Sequence, residues 1–218
     1  MCFSSTASFG AAIALAIIGV ASIRAKTSVK QTAFCIIPVV FSIQQIAEGF
    51  IWLSFTDAHY LICRQWCAYI FLTCAYVIWP ILIPYAILKI ENKKRNIQSL
   101  SFVYFIGIAT SIVYLISMLV YPVESLLVEH HIKYILHYPS WVLIIGSVCY
   151  GVATVVPAFI SSVKKVWILG LLVALSYIIT SLYFREYVIS VWCYFAALIS
   201  GVVFIIIKDN GYSTKKIV

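Results

Sequence analysis

Seven runs of the chain are long and apolar enough to cross a lipid bilayer: 7–23, 32–55, 63–88, 100–121, 140–160, 166–183 and 187–207. Crossing the hydrocarbon core takes about 20 predominantly apolar residues in a helix. Within that core every backbone N–H and C=O must be bonded inside the protein, which leaves helices and closed barrels. The runs are continuous, whereas barrel strands alternate over about ten residues, so they predict helices. A water-soluble globule is excluded by composition. The chain is 64% hydrophobic and 10% charged, with a mean hydropathy of +1.06, against roughly 45–50% and 25% in soluble domains. The expectation is an all-α polytopic membrane protein, with 1–218 a single domain of seven transmembrane helices and no soluble domain.

Charge placement orients those helices. Of the 15 basic residues, Arg64, Lys133 and Arg185 fall at one end of the expected bundle. The others follow the first, third and fifth runs or lie in the C-terminal tail. By the positive-inside rule the N-terminus is outside and the C-terminus cytoplasmic. The formal charge of +8 therefore reads as a topology signal. The expected partner is the bilayer, not nucleic acid. The first run has no basic stretch before it, and its positive charges follow it, as in a retained anchor with an outside N-terminus.

The second run contains PVVFSIQQIAEGFIWLSF, Pro38–Phe55, with Gln44, Gln45 and Glu48 near its middle. A charged side chain at the bilayer centre costs about 2.5–3.5 kcal/mol on insertion scales and marks a functional site by default. Gln44, Glu48 and Trp52 are spaced one helical turn apart and share a stripe, with Gln45 adjoining. That stripe is expected to face the bundle. No Lys or Arg lies deep in another run to pair with Glu48, so its carboxyl must be protonated or hydrogen-bonded. Two readings stay open: a proton or cation site flanked by amides, or a hydrogen-bond network that packs helices.

Partners are sought among the aromatic and hydroxyl residues of other runs. The third carries Tyr76, Trp79, Pro80, Pro84 and Tyr85 in YVIWPILIPY, where two prolines bend the helix and free carbonyls. The fifth holds Tyr150, Thr154 and Pro157, and the seventh Ser190, Trp192, Cys193 and Tyr194. Trp66, Trp141, Tyr183 and Tyr187 fit interfacial anchors. The candidate ligand- or proton-binding set is Glu48, Gln44, Gln45, Trp52, Tyr76, Trp79, Trp192 and Cys193.

Little else points to chemistry. His59, His130, His131 and His137 all fall in connections, and with Glu124 or Glu129 they match no strong zinc spacing. None lies in a run where it might hold haem between helices, and the last run lacks a lysine for retinal. No metal, cofactor or catalytic residue is expected; Cys2 or Cys193 as a nucleophile has no histidine beside it in sequence. Cys63 and Cys67 are read as two packed thiols in preference to a metal or redox pair. The connection Pro122–Pro139 is too short for a domain, and its VESLLVEHHIKYIL is expected to form an amphipathic helix on the membrane surface.

The opening MCFSSTASFG, the QQxxEGxxW stretch and SVWCYFAALIS together resemble a family of small bacterial multi-spanning membrane proteins that begin Met-Cys-Phe-Ser, a domain of unknown function. The resemblance covers nearly the whole chain and rests on Cys2, Phe3, Ser4, Gln44, Gln45, Glu48, Trp52, Trp192 and Cys193. It implies a seven-span bacterial membrane protein and supplies no reaction. The sequence therefore points to a carrier for a small molecule or ion with a protonatable Glu48. The alternative is a non-transporting sensor with a ligand pocket in the outer leaflet.

Overall fold

The computed structural model describes residues 4–128 and 131–215, with side chains as far as 209. Cys2, Phe3, Glu129 and His130 lie outside the described residues. Seven helices are long and apolar enough to cross a membrane: α1 (Ser5–Ala25), α2 (Val29–Thr56), α3 (Ala58–Ile90), α4 (Lys94–Val120), α5 (Ser140–Ile160), α6 (Val166–Tyr183) and α7 (Arg185–Asp209). They match the seven expected runs, with α3 and α4 extended at their N-terminal ends by Ala58–Ile62 and Lys94–Gln98 among others. Local chemistry sets the ends. Ser4 caps α1 by accepting from the Ala7 N–H at 3.2 Å, and Asp57 accepts from the His59 N–H at 2.9 Å where α3 begins.

Sequential helices pack side by side, and α7 returns to α1 to close the ring. α2 and α3 are the inner helices, α3 touching α2, α4 and α5. The distribution of side chains is inverted relative to a water-soluble bundle. Ile17 and Phe105, in the middle of α1 and α4, are 65% and 67% exposed, whereas Gln44, Gln45 and Glu48 are fully buried. The connections 26–28, 91–93 and 161–165 gather at one end, called here the basic end, and the opposite end carries the 121–139 connection.

Helix α3 is irregular where its prolines fall. A π-turn spans Cys74–Ile78, and the Trp79 N–H reaches back to the Cys74 carbonyl. Pro84 has no N–H for the Pro80 carbonyl one turn before it. α4 serves both defects. Ser111 Oγ donates to the Val77 carbonyl at 2.8 Å, and Gly107 lies so close to the Pro80 carbonyl that a Cβ would stand 1.8 Å from its oxygen. A second irregularity divides α7 at Ser200 and Gly201, between Val188–Ile199 and Val202–Lys215.

The 121–139 connection is a hairpin, not the expected surface helix. Strands β1 (Val123–Val128) and β2 (His131–Leu136) pair antiparallel, from Val123 opposite Leu136 to Val128 opposite His131. The reason is a period of two that the helical reading overlooks. Val123, Ser125, Ile132 and Tyr134 all turn toward the bundle and are buried. Tyr134 stacks on Phe71 of α3 at 4.9 Å, Gln65 Nε2 donates to the Val123 carbonyl at 3.0 Å, and His131 stacks on Tyr187 of α7 at 4.5 Å. Lys133 pairs with Glu186 at 2.7 Å. The hairpin thus straps α3 to α7. Cys63 and Cys67, one turn apart on α3, are free thiols, Cys63 exposed and Cys67 half-buried.

At the basic end Glu91 is buried and ties two connections together. It accepts from the Asn92 and Lys93 N–H groups at 2.9 and 3.0 Å and from the Ser162 N–H and hydroxyl, both at 2.6 Å. Burial by itself raises this carboxyl, but those hydrogen bonds outweigh it and hold Glu91 at about 2.

Candidate functional site

The stripe on α2 faces the interior, where Glu48 and Gln44 each meet a different helix. Glu48 is fully buried. Its Oε1 accepts from the Ser190 hydroxyl of α7, and its Oε2 accepts from Gln45 Nε2 at 3.1 Å. One turn away, Gln44 Oε1 accepts from the Trp79 indole N–H of α3 at 2.9 Å. Trp79 in turn stacks on Phe41, one turn before Gln45, at 3.9 Å between centroids. Cys193 of α7 lies beside both Glu48 and Gln44. Among the described residues both donors to the carboxyl, Ser190 and Gln45, are neutral. A buried acid hydrogen-bonded to neutral donors can bind a proton, or balance one positive charge brought by a ligand, without breaking an ion pair with Lys or Arg.

A cavity of about 580 Å³ opens beside this cluster, between α3, α5, α6 and α7 in the half of the bundle nearer the hairpin. Aromatic side chains dominate its polar lining: Tyr76, Tyr114, Tyr150, Tyr177 and Trp192, with Cys193 at its inner wall. The rings touch in sequence. Tyr76 lies 4.5 Å from Tyr114 and 6.0 Å from Tyr150, and Trp192 lies 5.6 Å from Tyr150 and 5.0 Å from Tyr177. A volume of this size falls in the range of small-molecule sites, about 300–1,000 Å³.

A second, smaller space of about 50 Å³ continues toward the basic end past Trp79, Thr154, Ala158 and Ser200. Tyr150, Trp192 and Cys193 line both spaces. They form the wall shared by the large space and the small one. Irregular backbone surrounds the small space, since Pro84, Pro157 and the α7 break at Ser200 and Gly201 all fall on that side.

The structure therefore brings together most of the residues singled out from sequence, in two layers. Gln44, Gln45, Glu48, Trp79 and Cys193 form the polar cluster, while Tyr76 and Trp192 line the cavity with Cys193. Trp52 is buried but lies on neither surface, and its indole N–H has no partner among the described residues. Ser4, which the resemblance groups with Glu48, is occupied in capping α1. Sequence reasoning does not reach Tyr114 and Tyr177, because a tyrosine within two turns of a helix end reads as an interfacial anchor. Their only signal is that Tyr114 recurs one turn after Thr110 and Ser111, a polar face on an otherwise apolar helix. Among the described residues no three His, Cys, Asp or Glu side chains converge as a metal site would require.

The chain matches no curated protein and no solved structure. A family model does match, over residues 1–216, and so takes in α1 to α7, the hairpin and every residue of the polar cluster. With that coverage the chain belongs to the family of unknown function DUF6629.

Proposed function

We propose that this chain is a multi-pass protein of a bacterial inner membrane, N-terminus outside and C-terminus cytoplasmic, that carries a small molecule or ion with Glu48 as its proton-exchanging group. The carrying observation is the wall shared by Tyr150, Trp192 and Cys193, with a large cavity on the hairpin side and a small one on the basic side. Alternating access needs a central site with a space on either side that can be widened and shut in turn. Glu48 stands behind that wall, next to Cys193. The orientation rests on the charge split between the two ends. The irregular backbone of α3 and α7 supplies positions at which the small space can widen.

The test is proton movement in proteoliposomes loaded with a pH-sensitive dye, challenged with panels of amino acids, sugars, metal ions and amines. A solute that drives proton movement through the wild type and not through Glu48→Gln supports the carrier. A solute that is transported equally by both removes Glu48 from the mechanism. The second reading, a non-transporting sensor, is favoured by the hairpin strapped across the cavity end through Tyr134 and His131. It predicts saturable binding of such a solute with no flux.

A further inference from the structure

The carrier and sensor readings leave the ligand open, and the lining of the large cavity constrains it. Five aromatic rings, Tyr76, Tyr114, Tyr150, Tyr177 and Trp192, surround the space, and no basic residue among the described ones lines it. Ring faces attract cations through their quadrupole, Trp most strongly, and do not attract anions. A carboxylic acid, Glu48, stands one side chain behind the wall at Cys193. The mouth has its own chemistry. α5 and α6 are pressed together toward the basic end, where a Cβ on Gly170 would meet the Ala158 methyl at 2.6 Å. Toward the hairpin the cavity edge includes Val148 of α5 and Ile178 of α6, 64% and 50% exposed on the apolar girth. A ligand thus passes greasy side chains before it meets the rings.

We infer that the cavity binds a lipophilic organic monocation, an amine or onium compound, by an aromatic cage of tyrosines and Trp192 with Glu48 as its countercharge. The inference builds on the site proposed above but not on transport. Positive charge accounts for the rings and the carboxylate together, whereas an anion would want a cation, which no described residue lining the space supplies. Lipophilicity accounts for an entrance between α5 and α6 through aliphatic side chains.

The test is equilibrium binding to the purified full-length chain with three probes. Tetraphenylphosphonium is a lipophilic cation, tetraphenylborate has the same shape with the opposite charge, and choline carries the positive charge without the lipophilicity. Tetraphenylphosphonium is expected to bind saturably, and tetraphenylborate and choline to compete at least about a hundredfold more weakly. Tyr177→Ala, at the half-exposed rim where truncation spares the core, is expected to weaken binding about fivefold to tenfold, the scale of one cation–π contact, and Tyr177→Phe to restore it. Trp192→Ala should weaken it further. Equal binding of the two tetraphenyl ions, binding of choline as tight as that of tetraphenylphosphonium, or wild-type affinity in both Ala variants overturns the inference. Binding of the phosphonium without proton movement leaves this inference standing and removes the carrier. Proton movement driven by a sugar or amino acid, with no phosphonium binding, does the reverse.

Discussion

Ser190 of α7 donates its hydroxyl proton to Glu48 of α2, joining two helices whose bonded residues lie 142 positions apart. Gln45 supplies the second donor to the same carboxyl. Removing the acceptor takes one bond from each of two buried donors, while an amide in its place keeps one acceptor and adds a donor for Gln45 Oε1, which has no partner among the described residues. Glu48→Gln is therefore expected to unfold within about 1 kcal/mol of wild type, and Glu48→Ala to lose about 2–4 kcal/mol. Ser190→Ala removes one bond and is expected to lose about 1 kcal/mol. Thermal unfolding of the three variants in one detergent checks this, and an Ala variant at position 48 as stable as wild type shows that the network does not hold α2 to α7.

A steric relationship on α4 gives a sharper stability test. The Pro80 carbonyl, left free by Pro84, is covered by Gly107, where a Cβ would come within 1.8 Å of backbone oxygen. Neither partner is a flexible side chain that can turn aside, so α3 and α4 must separate. Gly107→Ala is expected to destabilise by about 2–3 kcal/mol. Gly10→Ala on α1, where nothing stands within 4 Å, should be neutral or slightly stabilising, since Ala is the better helix former. Equal melting temperatures for the two variants contradict the close packing of α3 on α4.

These contrasts show what the sequence carries and what it withholds. The seven helices are legible because a run of apolar residues has few other ways to satisfy its backbone, and the inward turn of Gln44, Gln45 and Glu48 follows from their cost in contact with lipid. The partner of Glu48 is not legible to the same degree. Which of Ser190, Trp192, Cys193 or Tyr194 faces it depends on the rotation of α7, and one residue's turn changes the answer by about 100°. Glu91 hides for a different reason: inside KIENKKR it looks like one more solvated charge, and only the approach of the 161–165 connection makes it a buried acceptor. The hairpin is missed because Glu124, Glu129, His130, His131 and Lys133 give 122–139 a polar look, while the alternation of Val123, Ser125, Ile132 and Tyr134 sets its structure.

The proposed orientation is open to direct labelling. Cys63 is exposed near the start of α3, at the hairpin end, and Lys94 begins α4 at the basic end. A membrane-impermeant maleimide added to intact spheroplasts is expected to label the native chain, to label it less in Cys63→Ala, and to reach Lys94→Cys in a Cys63→Ala background only after the membrane is opened. The opposite pattern places the N-terminus in the cytoplasm and overturns the orientation drawn from the charges.

The Glu91 carboxyl links stability to acid. Its folded-state value of about 2 lies below the ordinary 4.5, so the folded chain holds this proton less tightly than the unfolded chain does. The stabilisation is then complete above about pH 4.5 and is lost as pH falls toward 2. Replacing the acceptor by Glu91→Ala leaves the Ser162 hydroxyl and three N–H donors at the two connections without it. The expected loss at neutral pH is about 2 kcal/mol, the scale of hydrogen bonds to a charged group discounted for a surface connection. Glu91→Gln should lose somewhat less, because one oxygen still accepts. The decisive comparison is the melting temperature of wild type and Glu91→Gln at pH 7 and at pH 3. The gap between them should narrow at pH 3, where the wild-type carboxyl begins to take up its proton. A gap that stays constant or widens with acid shows that the Glu91 contacts with Ser162 do not stabilise the fold through charge.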